Sequence, residues 1–324
     1  MVFGLHDFCK QGRNLLNRRV LTCMVLATLA ATSCGCGHVV TKHAEIPQGV
    51  RPVALDSTRE ELLEKYNQMA SSVQSLNATV ELKPTAGSKY SGVIDEYHEV
   101  KAFLLAARPA EIRMIGQAPV IGTTVFDMAS DGETFRVSIP SKHKFLVGPV
   151  AAERASGKPI ENLRPQHLLD ALLWPEIRKE ETVLFEEYND ESARYYVLTV
   201  LRGGYHTEIY RKIWFSRADL QVARLQNYGP KGSLVSDVRV SDWQAADAGA
   251  AGADPGAKSA AAFPRAIHID RPHDDYQLDL QITKIALNEQ IPAERFQLEQ
   301  PAGAELVRVN GNAEETKPAK ESKP

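Results

Sequence analysis

Ser75-Leu76-Asn77-Ala78-Thr79-Val80-Glu81-Leu82 alternates without a break, apolar at every even position and polar at every odd one. Side chains two apart share one face of a strand, so this octet predicts a strand with one buried and one wet side. Just upstream the period changes. Ser57-Thr58-Arg59-Glu60 reads as a capping box, with Ser57 as the cap and Glu60 three residues on. Leu62, Leu63, Tyr66, Met69 and Ala70 follow at helical spacing, which predicts an amphipathic helix over 58–72.

Downstream the strand signal repeats. Residues 99–106 carry Phe103 and Leu105, Arg108-Pro109 breaks them, and Ala110, Ile112 and Met114 begin the next strand. Strands over 125–129 and 134–139 are joined by Ser130-Asp131-Gly132-Glu133, with Asp-Gly at the turn. A short strand at 143–147 ends this first run. Further strands are expected at 182–187, 193–201, 208–215, 221–228, 233–241, 265–270 and 276–285. Between the two runs, Pro165 opens a helix whose Leu168, Leu169, Leu172 and Leu173 fall on one face before Trp174-Pro175 stops it. The fold class that follows is mainly β with α (α+β). About a dozen antiparallel strands make a strongly curved sheet, or half-open β-barrel, and the leucine helix lies over its concave face as a lid. The pattern leaves open whether that interior is a cavity or a filled core.

Composition limits the function. The chain has 324 residues, 43% hydrophobic and 24% charged, enough for a buried core. A net charge of -3 gives no bulk attraction to nucleic acid, and none is expected as a partner. All four cysteines, Cys9, Cys23, Cys34 and Cys36, precede residue 37, so the body carries no disulfide framework and no structural zinc site.

The first residues read as an export signal. Lys10, Arg13, Arg18 and Arg19 precede the apolar run Val20–Ala31, which is shorter than the roughly 20 residues a spanning helix needs. Leu29-Ala30-Ala31-Thr32-Ser33-Cys34-Gly35 resembles a bacterial lipoprotein box, with Ala31 where the box usually has leucine. The resemblance implies cleavage after residue 33, acylation at Cys34, and outer-membrane placement facing the periplasm because Gly35 follows the cysteine. Residues 34–56 are then a tether and 57–310 a single domain. Residues 245–262, rich in Ala and Gly, read as a low-complexity loop, and 311–324 as a disordered tail.

Arg108-Pro109-Ala110-Glu111-Ile112-Arg113, then Phe126-Asp127-Met128-Ala129-Ser130-Asp131-Gly132-Glu133, and later Lys212-Ile213-Trp214-Phe215 with Val222-Ala223-Arg224-Leu225, resemble the bacterial lipoprotein-localisation fold. This family includes the periplasmic lipoprotein carrier, its outer-membrane receptor and the sensor domain of an anti-sigma regulator. The resemblance implies an unclosed barrel with a helical lid over a cavity for lipid or lipoprotein acyl chains. Phe103, Leu105, Ile112, Met114, Phe126, Met128, Leu168 and Leu172 are the lining candidates. It also implies that Arg108 ties the barrel to the lid, and that an exposed apolar loop meets the bilayer, for which Pro149-Val150-Ala151 is the candidate. The chain is longer than either localisation protein.

Catalytic motifs are missing from the sequence: there is no HExxH, GxSxG, P-loop or GxGxxG. His268-Ile269-Asp270-Arg271-Pro272-His273-Asp274-Asp275 has metal-ligating residue types, but these are also what an exposed hairpin turn uses, and Arg271 would repel a cation. The expectation is therefore a protein that is not an enzyme, with no cofactor and no metal. It would be a lipid-anchored envelope protein that binds acyl chains in lipid or lipoprotein trafficking. The alternative is a structural or regulatory interaction protein with a filled barrel and an envelope protein as partner.

Overall fold

The computed structural model describes residues 53–88, 93–151, 162–189, 193–203, 207–248 and 262–309. The export signal, Cys34, most of the tether, the middle of the Ala/Gly-rich stretch and the tail lie outside the described residues.

The first helix, α1 (Arg59–Ser72), starts one residue later than the sequence suggests. Thr58, not Ser57, adopts the extended cap conformation and accepts from Glu61 N, while Glu61 Oε2 accepts from Thr58 N at 2.9 Å. Glu60 turns instead to Arg59, so the box is Thr58/Glu61. Leu62, Tyr66 and Ala70 face the core, one turn apart.

The strands are β1 (Ser75–Ser88), β2 (Val93–Glu96), β3 (Val100–Ala107), β4 (Glu111–Gln117), β5 (Thr124–Ser130), β6 (Thr134–Ile139) and β7 (Lys144–Pro149). The lid helix α2 (Pro165–Leu172) follows. Then come β8 (Thr182–Asn189), β9 (Arg194–Arg202), β10 (Glu208–Ser216), β11 (Val222–Tyr228), β12 (Leu234–Ala245), β13 (Asp247–Ala248), β14 (Ala262–Arg271), β15 (Tyr276–Leu287) and β16 (Glu305–Arg308). Short β2, β13 and β16 carry no alternation long enough to read. Ala245, Asp247–Ala248 and Ala262 are strand residues, so the described ends of the Ala/Gly-rich stretch belong to the sheet.

All described strands join one sheet in the order β16-β7-β6-β5-β4-β3-β1-β15-β14-β12-β11-β10-β9-β8, with β2 on β1 and β13 on β15. The two runs of hairpins meet at the β1–β15 ladder, which pairs Leu76 with Leu287 and Ala86 with Tyr276. The sheet is strongly curved and unclosed. Inward residues of both runs and of both helices form one core, which a flat sheet could not bring together. In β1 those residues are Leu76, Ala78, Val80 and Leu82, all buried. At the tether's end, Leu55 N donates to Arg217 O at 2.7 Å and Arg217 pairs with Asp56, which fixes these residues to the sheet.

Candidate functional site

Cross-strand pairing sets which side chains line the interior. One inward row runs Ala78–Leu104–Met114–Met128–Val137–Leu146 and continues to Val307 on β16; the next runs Val80–Ala102–Gly116–Phe126. Under α2 these rows are packed solid. Leu168, Leu169 and Leu172 from the helix and Ile112, Met114 and Leu104 from the sheet are all buried in the core. Beyond the N-terminal end of α2 the filling stops.

There a cavity of about 710 Å³ opens, within the ~300–1,000 Å³ usual for small-molecule sites. Its walls are Leu82 and Pro84 of β1, Val100 of β3, Phe126 and Met128 of β5, Val137 and Ile139 of β6, Leu146 of β7, and Val307 with Val309 at the β16 edge. Leu163 and Arg164 close it where α2 begins. Tyr97, His98, Glu99, Lys142 and Lys144 supply its polar lining. Its charged lining is three bases to one acid. Burial pulls the Arg164 guanidinium below its ordinary pKa, and the cation lies 4.5 Å over the Phe135 ring.

Ala118 and Pro119 also line the cavity, and the loop they begin is the most exposed apolar feature of the described residues. Val120 is 93% exposed and Ile121 76%. The loop is closed by Gly122 N donating to Ala118 O at 3.0 Å, and Gly122 sits at φ 66°, a conformation glycine adopts without strain. Residues 118–122 thus form an exposed apolar loop. In the sequence candidate Pro149-Val150-Ala151, Pro149 ends β7 and Val150 N is tied to Glu133 O at 2.8 Å.

Of the eight lining candidates, Phe126 and Met128 line the cavity. Ile112, Met114, Leu168 and Leu172 face the interior but are sealed in the packed region. Phe103 and Leu105 are corrected. The inward residues of β3 are Val100, Ala102, Leu104 and Ala106, so Phe103 and Leu105 face the opposite side. Phe103 is 41% exposed there, with Lys101 Nζ 5.6 Å from its ring. Leu105 lies opposite Arg113, whose Nη1 holds the carbonyls of Arg295 and Gln297 at 3.1 and 2.9 Å. The double leucine Leu104-Leu105 hides the parity of this strand, because either choice buries one leucine.

Arg108 links the sheet to the end of α1 and to the segment after α2. Its Nε donates to Val73 O at 2.9 Å, and its Nη2 to Ala70 O and Trp174 O at 2.8 Å each. The segment after α2 is held again by Tyr66 Oη and Arg211 Nη1, which donate to Pro175 O at 3.0 and 2.8 Å. Burial pushes the Tyr66 phenol up to about 12, so it remains a donor. His268 pairs across the ladder with Asp279 at 2.6 Å, and Arg271 binds Asp274 in the β14–β15 turn.

Sequence reasoning assigned no role to Gly116. A Cβ built there would lie 2.4 Å from Phe126 Cε1, so the bare glycine lets the Phe126 ring lie flat against the sheet and keeps the cavity open. Gly116→Ala is expected to tilt that ring inward, lowering stability by about 1 kcal/mol and cutting acyl-probe uptake several-fold. Paired urea melts and binding titrations check this, and unchanged uptake would remove the role given to the glycine.

No family model and no curated protein matches the chain. Solved structures similar to it in fold include a LolA superfamily protein from Nitrosomonas europaea, 13% identical, with TM-score 0.43, covering 75% of this chain and 99% of that one. A DUF1329 family protein from Desulfovibrio piger is 12% identical, with TM-score 0.47, covering 73% and 95%. A putative outer membrane lipoprotein-sorting protein domain from Vibrio parahaemolyticus is 11% identical, with TM-score 0.43, covering 74% and 97%.

Proposed function

We propose that this chain is a non-enzymatic envelope protein, anchored through an acylated Cys34 to the outer membrane on its periplasmic side, that holds lipid or lipoprotein acyl chains in the cavity beside α2. The observation that carries this reading is an apolar cavity of about 710 Å³ opening beside the exposed Val120-Ile121 tip. A hydrocarbon chain leaving water for such walls gains about 0.8 kcal/mol per methylene buried. The apolar tip gives a bilayer somewhere to hand the chain over. Lys142, Lys144 and Arg164 against a single Glu99 favour an amphiphile with an acidic head.

Native mass spectrometry of the purified full chain, with titration of a fluorescent fatty acid, tests the reading. Co-purified amphiphile or saturable uptake is expected. A clean mass together with no uptake would leave the second reading, a partner-binding envelope protein. One observation favours that alternative: edge strand β8 is exposed along its length, with Leu184, Phe185 and Tyr188 all open to solvent.

A further inference from the structure

His167 lies in the first turn of α2, and its ring is a polar contact between the lid and the sheet. Nε2 is 3.2 Å from Arg271 Nη2, and Nδ1 is hydrogen-bonded to Tyr276 Oη. The two aromatic rings stack at 6.1 Å. A guanidinium only donates, so Nε2 must accept from Arg271, and the ring proton must sit on Nδ1, donating to Tyr276. Only the neutral ring can satisfy both partners. Arg271 is itself aimed by Asp274, whose Oδ2 accepts from its Nε at 2.8 Å.

The charged groups facing His167 come from every element around it: Arg271 at the end of β14, Asp274 in the turn after it, Arg164 just before α2, and Asp170 on α2. Asp170 Oδ1 accepts from Gln166 Nε2 at 3.2 Å. Burial first, and then the charges of Arg271 and Arg164, hold His167 well below the ordinary histidine value. A proton on Nε2 would break the Arg271 hydrogen bond and set a third positive charge beside two guanidiniums.

We propose that His167 is a proton-operated latch: the neutral ring holds the N-terminal end of α2 on Arg271 and Tyr276, and protonation frees that end, widening the cavity where Leu163 and Arg164 close it. The other end stays tied by Arg108 to Trp174 and by Arg211 to Pro175, so the helix swings about its C-terminal side. The latch goes beyond acyl binding, because it operates whether or not a guest is present.

The closed lid requires a neutral ring, whereas a ring released to solvent regains the ordinary histidine value of roughly 6.5. The latch is therefore at full strength above that value, and each pH unit below it multiplies opening about tenfold. Asp170 itself is open to solvent.

The test is hydrogen exchange of the α2 amides in the full chain at about pH 7.5 and about pH 5.5, corrected for the intrinsic pH dependence of exchange. Protection of α2 in the wild type should fall about tenfold on acidification, while β1 and β15 stay protected. In His167→Gln the amide can accept from Arg271 and donate to Tyr276 without titrating, so protection should stay flat. An equal fall in His167→Gln, or a fall shared by β1 and β15, overturns the latch. Tyr276→Phe provides a second variant. It should loosen α2 at pH 7.5 yet keep the pH step, and loss of that step would also count against the proposal. A pH-responsive lid in a chain that takes up no fatty acid would sink the acyl reading and leave the latch standing.

Discussion

Arg108→Ala is expected to lower the unfolding free energy by about 3 kcal/mol, seen as an earlier urea midpoint with an unchanged slope. The residue supplies three hydrogen bonds from a charged donor to carbonyls in two separate elements. Two of those carbonyls, of Ala70 and Val73, belong to the C-terminal end of α1, where exposed backbone oxygens carry partial negative charge. The last turn of α1 has no basic residue of its own, so the cation arrives from the sheet. The third carbonyl, of Trp174, fixes the chain just after the lid. Alanine leaves all three half-buried oxygens without their donor, and a lysine at the same position can restore only part of the fork geometry. Hydrogen exchange should show the loosening at the C-terminal end of α2, the opposite end from that held by His167. A loss below about 1 kcal/mol would mean the three contacts are incidental.

Val137→Trp is expected to reduce acyl-probe uptake at least about tenfold while changing stability by under about 1 kcal/mol. Val137 sits mid-row between Met128 and Leu146, and its side chain forms part of the cavity wall. An indole there enters space that is empty in the structure, so it adds contacts without displacing packed neighbours. Binding isotherms and melts on the same preparation check the two halves together. Undiminished uptake would show that the guest lies elsewhere, and with it the proposed function would lose its site.

The longer strands and both α-helices are legible because each carries a regular period, which β2, β13 and β16 are too short to show. The octet at 75–82 and the alternation of Tyr276, Leu278, Leu280 and Ile282 each name their own inward face, and all these residues are buried. Legibility failed where the period was locally ambiguous. Phe103 and Leu105 are the larger residues of their alternating set in β3, yet Val100, Ala102, Leu104 and Ala106 form the buried face. Val120 and Ile121 stand in no pattern that sets them apart in the sequence, and they become an exposed tip because a tight turn closes at Gly122.

The site divides in the same way. The resemblance points to Arg108 before Pro109, but its three acceptors lie at the end of α1 and after α2, 35 or more positions away in the chain. Cavity and packed core draw on the same apolar residue types from neighbouring rows, and no local pattern separates Met114, which is sealed, from Met128, which lines the open space.

The sequence by itself determined the local elements: which segments are strands, where two helices lie, and which face of each well-patterned strand is greasy. Period and turn chemistry act over a few residues and survive without any partner. The tertiary structure alone decided that β1 closes on β15, that the lid fills one part of the trough and leaves another open, and that His167 meets Tyr276 and Arg271. Those outcomes depend on pairings between residues some hundred to two hundred positions apart, whose free energy exists only once the chain has brought them together.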